Sequence, residues 1–195
     1  MLSRLLIAAM LVFAMSPTFA PQSFAQDADG ALHTEDWFAV TFKDMREDLA
    51  TANGEGKRLA LIVEQYGCVY CRKLHEEVLS DPEVADFIKA NYVVVQLNMF
   101  GDEEVTDFDG EVLSERDAIR RWGLIFTPTI IFLPEEVAAG STVAQAAVQM
   151  MPGAFGKWTT LDMFRWVREK GYDSGEHFQK YHARNIEKMR AEGKL

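Results

Sequence analysis

The stretch Ala60-Leu61-Ile62-Val63-Glu64-Gln65-Tyr66-Gly67-Cys68-Val69-Tyr70-Cys71 decides the fold. Its first half, extended back to Leu59, is a continuous apolar run of strand length, bounded by Asn53-Gly54-Glu55-Gly56 before it and Gly67 after it. A run without polar alternation reads as a strand buried on both faces, as in a parallel sheet covered by helices. Residues 69–78 then read as helix, and Ser80-Asp81-Pro82 starts a further helical segment to residue 90. Cys68 therefore sits where a strand gives way to a helix.

Outward from this point the pattern repeats. Residues 92–97, with three consecutive valines, read as a second buried strand. Residues 114–122 read as a helix capped by Ser114, with Asp117 three residues later, which completes a βαβ unit. Residues 129–133 form a third strand after Pro128, and 142–151 a fourth, although its alanines also allow a short helix. A helix opens at Thr159 or Thr160 and runs to residue 170, with Leu161, Phe164, Trp166 and Val167 on its apolar side. The last helical stretch, 176–192, is polar enough to lie on the surface. Upstream, Phe38, Phe42, Met45 and Leu49 recur every three or four residues, predicting an amphipathic helix over 36–53. There is no internal repeat.

The N-terminus reads as a signal peptide over 1–25: Arg4, an apolar run over 5–14, then small residues ending Ser23-Phe24-Ala25. Ala20 is a weaker cleavage position, and an uncleaved anchor is the competing interpretation. Export predicts a periplasmic location. Without these residues, which hold one basic and no acidic side chain, the chain carries a net charge of −11. Such acidity, with no Lys/Arg run, argues against nucleic acid as a partner. No later apolar stretch approaches transmembrane length.

The chain has two cysteines, three residues apart, a spacing that random placement would give about one time in a hundred. In an oxidising compartment cysteines usually staple distant parts of a fold. Here none is left over for that, so the pair reads as chemical. At a helix N-terminus, unpaired backbone N–H groups and the helix dipole stabilise a Cys68 thiolate. Cys68 becomes the nucleophile and Cys71, one turn on, the resolving thiol. The redox-active pair needs no organic or metal cofactor.

Other chemistries share the spacing. A c-type haem site needs His after the second cysteine, where Arg72 stands. Zinc is a stronger rival, because His75 follows Cys71 by four residues on the same helical face and would add a third ligand. The simpler interpretation of His75 is an exposed helix residue beside Glu76. Met99, Met150 and Met151 admit a copper site but fit core packing better.

These residues, together with Val93-Val94-Val95-Gln96-Leu97-Asn98 and Phe126-Thr127-Pro128-Thr129-Ile130-Ile131-Phe132, resemble a thioredoxin over residues 36–172. More narrowly, they resemble periplasmic thioredoxin-related proteins associated with bacterial sulfur-oxidation gene clusters. The resemblance implies an α/β thioredoxin fold, a central mixed sheet flanked by helices with N-terminal and C-terminal helical extensions. The organisation expected is a signal peptide over 1–25, an N-terminal helical segment over 26–56 and a thioredoxin-like domain over 57–172. An acidic insertion at 101–113 interrupts that domain, and a C-terminal helix covers 173–195. Pro128 would be the family's cis-proline facing the cysteines, an ordinary trans-proline at a strand start being the alternative. Thr127 would offer backbone groups to a client peptide, and Val69 and Tyr70 would complete the binding surface.

Three departures stand out. Val69-Tyr70 replaces the usual Gly-Pro between the cysteines and Gly67 the preceding tryptophan, which leaves the redox potential unassigned. The helical proline five residues after the second cysteine is Glu76, which predicts a straighter helix. The family's buried aspartate is replaced by Ile62. Glu64, two residues along the same strand and on the same face, is the candidate proton acceptor for Cys71, a solvated strand-end residue being the alternative. Residues 101–111 carry six carboxylates and fail as a calcium loop. They read as a solvated acidic loop at the active-site edge, with client selection as the functional alternative.

The expected activity is thiol–disulfide exchange with clients, in the reducing direction that the resemblance implies. It further implies a membrane thiol transporter as electron donor, sulfur-carrier or cytochrome-maturation proteins as clients, and a monomer. A disulfide oxidase or isomerase, a Cys/His metal-binding chaperone and a non-catalytic binding module are the alternatives.

Overall fold

The central strand of the structure is β1 (Arg58–Glu64), every residue of which is buried. The computed structural model describes residues 32–195, so the expected signal peptide lies outside the described residues. β1 pairs in parallel with β2 (Tyr92–Asn98) from Arg58↔Tyr92 to Glu64↔Asn98. On its other side it runs antiparallel to β5 (Thr129–Phe132), which in turn pairs with β6 (Gln149–Pro152). The sheet order is β2-β1-β5-β6, a mixed sheet with its most apolar strands in the middle.

Strand alternation divides the core into two layers. Ala60, Ile62, Val94, Ile130 and Phe132 pack against α2 (Val69–Leu74), α3 (Pro82–Asn91) and α6 (Lys157–Arg168) through Leu74, Ile88 and Phe164. Leu61, Val63, Val95, Leu97 and Ile131 pack on the opposite face against α1 (Met45–Gly54) and α4 (Glu115–Arg121) through Met45, Leu49 and Ile119. On the first face Tyr92, Phe132 and Phe164 meet edge to face, with ring centroids 4.8 to 6.2 Å apart. The helices expected from Ser80-Asp81-Pro82 and from Ser114 form with those residues as caps and Pro82 in the first turn. The segment 142–151 uses both of its options. Thr142 caps the single turn α5 (Val143–Ala146), and β6 follows.

Several expectations are corrected. The first helix starts at Met45 rather than at residue 36. Asp44 caps it by accepting from the amides of Arg46 and Glu47, and Lys43 is left-handed at φ 57°. Before the cap, the Ala39 amide donates to Val94 O along the edge of β2. That tertiary hydrogen bond holds the segment extended, burying Phe38 and leaving Phe42 exposed. The last helix, α7 (Phe178–Ala191), is not merely a surface helix, because Phe178, Tyr181 and Met189 are buried.

The acidic segment is not a solvated loop. It folds into the hairpin β3 (Glu104–Thr106) and β4 (Val112–Ser114), with Val105 and Phe108 buried in the core. Asp107 is fully buried and accepts from Phe108 N, Val143 N, Trp122 Nε1 and Arg121 Nη1. Arg121 also pairs with Asp109 and Glu111, and Lys43 with Glu103 and Glu115. One arginine and one lysine thus neutralise much of the acidic run. Among the described residues no helix is long and apolar enough to cross a membrane.

Candidate active site

β1 ends at Glu64, and Gly67 turns the chain with φ 67°, a conformation that glycine adopts without strain. Cys68 follows in extended backbone as the N-cap of α2, its sulfur accepting from the Cys71 amide at 3.0 Å. Cys68 and Cys71 are joined in a disulfide, with Cα atoms 5.2 Å apart. Cys68 is 7% exposed and Cys71 1%, so the first sulfur is the one a partner reaches. Between them Val69 and Tyr70 are 63% and 65% exposed, and Tyr66, Ile125 and Phe126 also stand out from the surface.

The second wall of the site comes from the loop entering β5. Thr127 Oγ1 lies 3.5 Å from Cys68 Sγ, and the Thr127–Pro128 peptide bond is cis. Thr129 Oγ1 donates to Phe126 O at 2.7 Å, and Pro128 O accepts from Gly153 N at 2.7 Å. The loop is thus fastened on both sides of the proline. Cys68, Cys71, Thr127 and Pro128 come together as a site, and Val69 and Tyr70 form its exposed rim.

Glu64 and His75 differ from their simpler interpretations. Glu64 is not a solvated strand-end residue but fully buried, held by His75 Nε2 at 3.1 Å and by Gln96 Nε2. His75 is not exposed: it is buried between Glu64 and Glu35, whose Oε1 lies 2.8 Å from His75 Nδ1. Burial opposes the imidazolium, but hydrogen bonds and charge from Glu64 and then Glu35 outweigh it and raise the His75 pKa above 6.5. Both ring nitrogens are engaged by carboxylates and both cysteines by their disulfide. Among the described residues no group of three or more His, Cys, Asp or Glu side chains is arranged to hold a metal ion.

The helix after the cysteines is not straighter for lacking proline. It widens into a π turn over His75–Leu79 where the proline would stand. Ile62, in the place of the family's aspartate, is simply core. The acidic hairpin begins beside the site, since Met99 N donates to Glu64 O. Glu35 and Gln96 were missed by sequence reasoning. Gln96, a lone polar residue inside the valine-rich strand, was the signal available for the second of them.

A family model described as the thioredoxin-like domain matches residues 45–154. The chain belongs to the thioredoxin-like family. Among solved structures, a thioredoxin from Thermus thermophilus is 26% identical, with a TM-score of 0.52 over 68% of this chain and 90% of that one. A thioredoxin-fold protein from Helicobacter pylori is 17% identical, with a TM-score of 0.52 over 70% and 81%. A putative disulphide-isomerase from Bacteroides thetaiotaomicron is 21% identical, with a TM-score of 0.49 over 74% and 100%. No curated protein matches. Family membership and the Cys68–Cys71 disulfide at the head of α2 make the protein a thiol–disulfide oxidoreductase of the thioredoxin-like type.

Proposed function

We propose that the protein is a periplasmic reductase that breaks disulfides in exported client proteins. The observation that carries the exchange chemistry is the asymmetry of the disulfide: Cys68 caps α2, 7% exposed and with Thr127 against its sulfur, while Cys71 is 1% exposed. The reducing direction is what the resemblance implies. In the reduced protein the Cys68 thiolate attacks a client disulfide, and one client sulfur leaves as a thiolate. Cys71 gives its proton to Glu64 and attacks Cys68 Sγ. The Cys68–client bond breaks, the second client thiolate leaves and the Cys68–Cys71 disulfide re-forms. Two electrons have passed to the client, whose thiolates take protons from water.

Val69 and Tyr70 supply apolar contact to the client, and Thr127 and Pro128 present the loop beside which its chain lies. A membrane thiol transporter returns electrons to the monomeric protein, and the clients are sulfur-carrier or cytochrome-maturation proteins. The test has two parts. Equilibration of Cys68–Cys71 against a glutathione or dithiothreitol buffer should give a potential near about −270 mV, whereas one near about −120 mV makes the protein an oxidase. Cys71→Ala should accumulate a client mixed disulfide on Cys68; if none accumulates, the mechanism is wrong.

A further inference from the structure

A chain of titratable side chains runs from beneath the active-site helix to the surface. It starts at Glu64, fully buried at the end of β1, both of whose carboxylate oxygens lie 3.1 Å from His75 Nε2. Gln96 on β2 donates to the same carboxylate. His75 Nδ1 lies 2.8 Å from Glu35, whose side chain is 20% exposed. The His33 ring, 5.9 Å away, and Phe38, 5.8 Å away, pack beside the imidazole. A single imidazole therefore joins an interior carboxylate to one that meets water.

The spacing of this imidazole from Cys71 is the second argument. His75 follows Cys71 by four residues, so both lie on one face of the helix. Helical side chains lean toward the N-terminus, which sets the His75 ring over the turn that carries Cys71. At His75 the helix changes from α to π, a widening that recurs at functional sites. The groups facing His75 are Glu64 from β1 and Glu35 and His33 from the N-terminal segment. Two carboxylates against one imidazole favour a charged, proton-bearing ring.

We propose that His75 and Glu35 connect Glu64 to solvent, so that each proton Glu64 takes from Cys71 is matched by one released from His75 Nδ1 through Glu35 to water. This rests on the reading of Cys71 as the resolving thiol and Glu64 as its proton acceptor. During resolution the Cys71 S–H proton moves to Glu64, the sulfur attacks Cys68 Sγ, and the client thiolate leaves. The imidazolium gives its Nδ1 proton to Glu35, which passes it to water. The buried Glu64–His75 pair then holds the same number of protons before and after, so no uncompensated charge is left in the core. When a dithiol donor re-reduces the disulfide, Glu64 returns its proton to Cys71, and Glu35 brings one from water to Nδ1. His75 and Glu35 are positioning residues in this scheme, since they act on the thiol only through Glu64, the proton acceptor that the scheme assumes.

The experiment follows one turnover of the reduced full-length protein with glutathione disulfide, quenched in acid and read by mass spectrometry. Attack by Cys68 and resolution by Cys71 are timed separately across pH 5 to 9, a range chosen to bracket the ordinary imidazole pKa. H75Q is expected to slow resolution relative to attack by about tenfold and E35Q by about threefold. Small diffusible buffers should restore part of the E35Q rate, which a merely structural defect would not allow. E35Q also carries the test should H75Q fail to fold, because Glu35 lies outside the sheet. If both variants form the Cys68–glutathione disulfide and resolve it at the wild-type rate and pH profile, the relay is wrong while the exchange mechanism stands. If E35Q slows resolution but no buffer restores it, the relay is likewise overturned. If the wild type forms no mixed disulfide on Cys68, the reading beneath the relay fails with it.

Discussion

Replacing Asp48 by Asn should stabilise the protein, and by an amount that depends on pH. Asp48 lies in α1 with 4% of its surface exposed, and Thr41 Oγ1 donates to its carboxylate at 3.2 Å. Burial, with smaller additions from Asp44 and Glu47, raises its pKa from 3.8 to about 6. Between these values the folded protein keeps a proton that the unfolded chain has lost, so wild-type stability falls as pH rises. Each pH unit of that difference is worth about 1.4 kcal/mol, which makes the loss about 2–3 kcal/mol by pH 6, constant above it. The neutral amide of the variant carries no such penalty and keeps an oxygen to accept from Thr41. Urea unfolding of both proteins at half-unit steps from pH 4 to 8 should show the variant's advantage growing to pH 6 and then levelling. An advantage independent of pH, or a variant less stable than wild type at pH 7, would refute the reasoning.

Three further outcomes are expected. In Gly101→Ala the new methyl would stand 1.7 Å from Glu115 Oε2, displacing a carboxylate that accepts from Asn98 N and pairs with Lys43. A loss of about 3 kcal/mol should appear in denaturant unfolding, and a loss below about 0.5 kcal/mol would mean that Glu115 relocates freely. Asp107→Ala strips the acceptor from two backbone amides, the Trp122 indole and Arg121, and should cost about 3–5 kcal/mol with an unchanged denaturant slope. Tryptophan fluorescence, to which Trp122 contributes beside Trp37, Trp158 and Trp166, follows that transition. In Glu64→Gln the resolution step should lose its pH dependence and slow by about a hundredfold, and an unaltered pH–rate profile removes Glu64 from the mechanism.

Strands β1, β2 and β5 were legible because continuous apolar runs such as Leu59 to Val63 have few other uses in a chain of this length. The cysteine pair was legible as chemistry because the chain offers no third cysteine, and its place at the head of α2 followed from Gly67 and the strand before it. What escaped was whatever long-range pairing decided. Phe38 and Phe42 fit a helical period, yet the backbone between them is claimed by the edge of β2. Six carboxylates in eleven residues look solvated until Arg121 and Lys43 arrive from elsewhere in the chain to pair with Glu103, Asp107, Asp109 and Glu111. His75 looked exposed because its partners stand eleven residues before it and forty before it. Local sequence carries no trace of such meetings.

Val63 and Thr129 are directly opposed on the β1–β5 ladder. One is five residues from Cys68 and the other adjoins Pro128, so the two jaws of the site hang from a single rung of the central, fully buried strand pair. The gap between sulfur and proline is referred to that shared rung, as a vice takes its alignment from the bed that joins its jaws. Val69 and Tyr70, projecting from one jaw into solvent, are then exchangeable parts. An engineer can alter the chemistry of the pair through them and leave the mounting untouched.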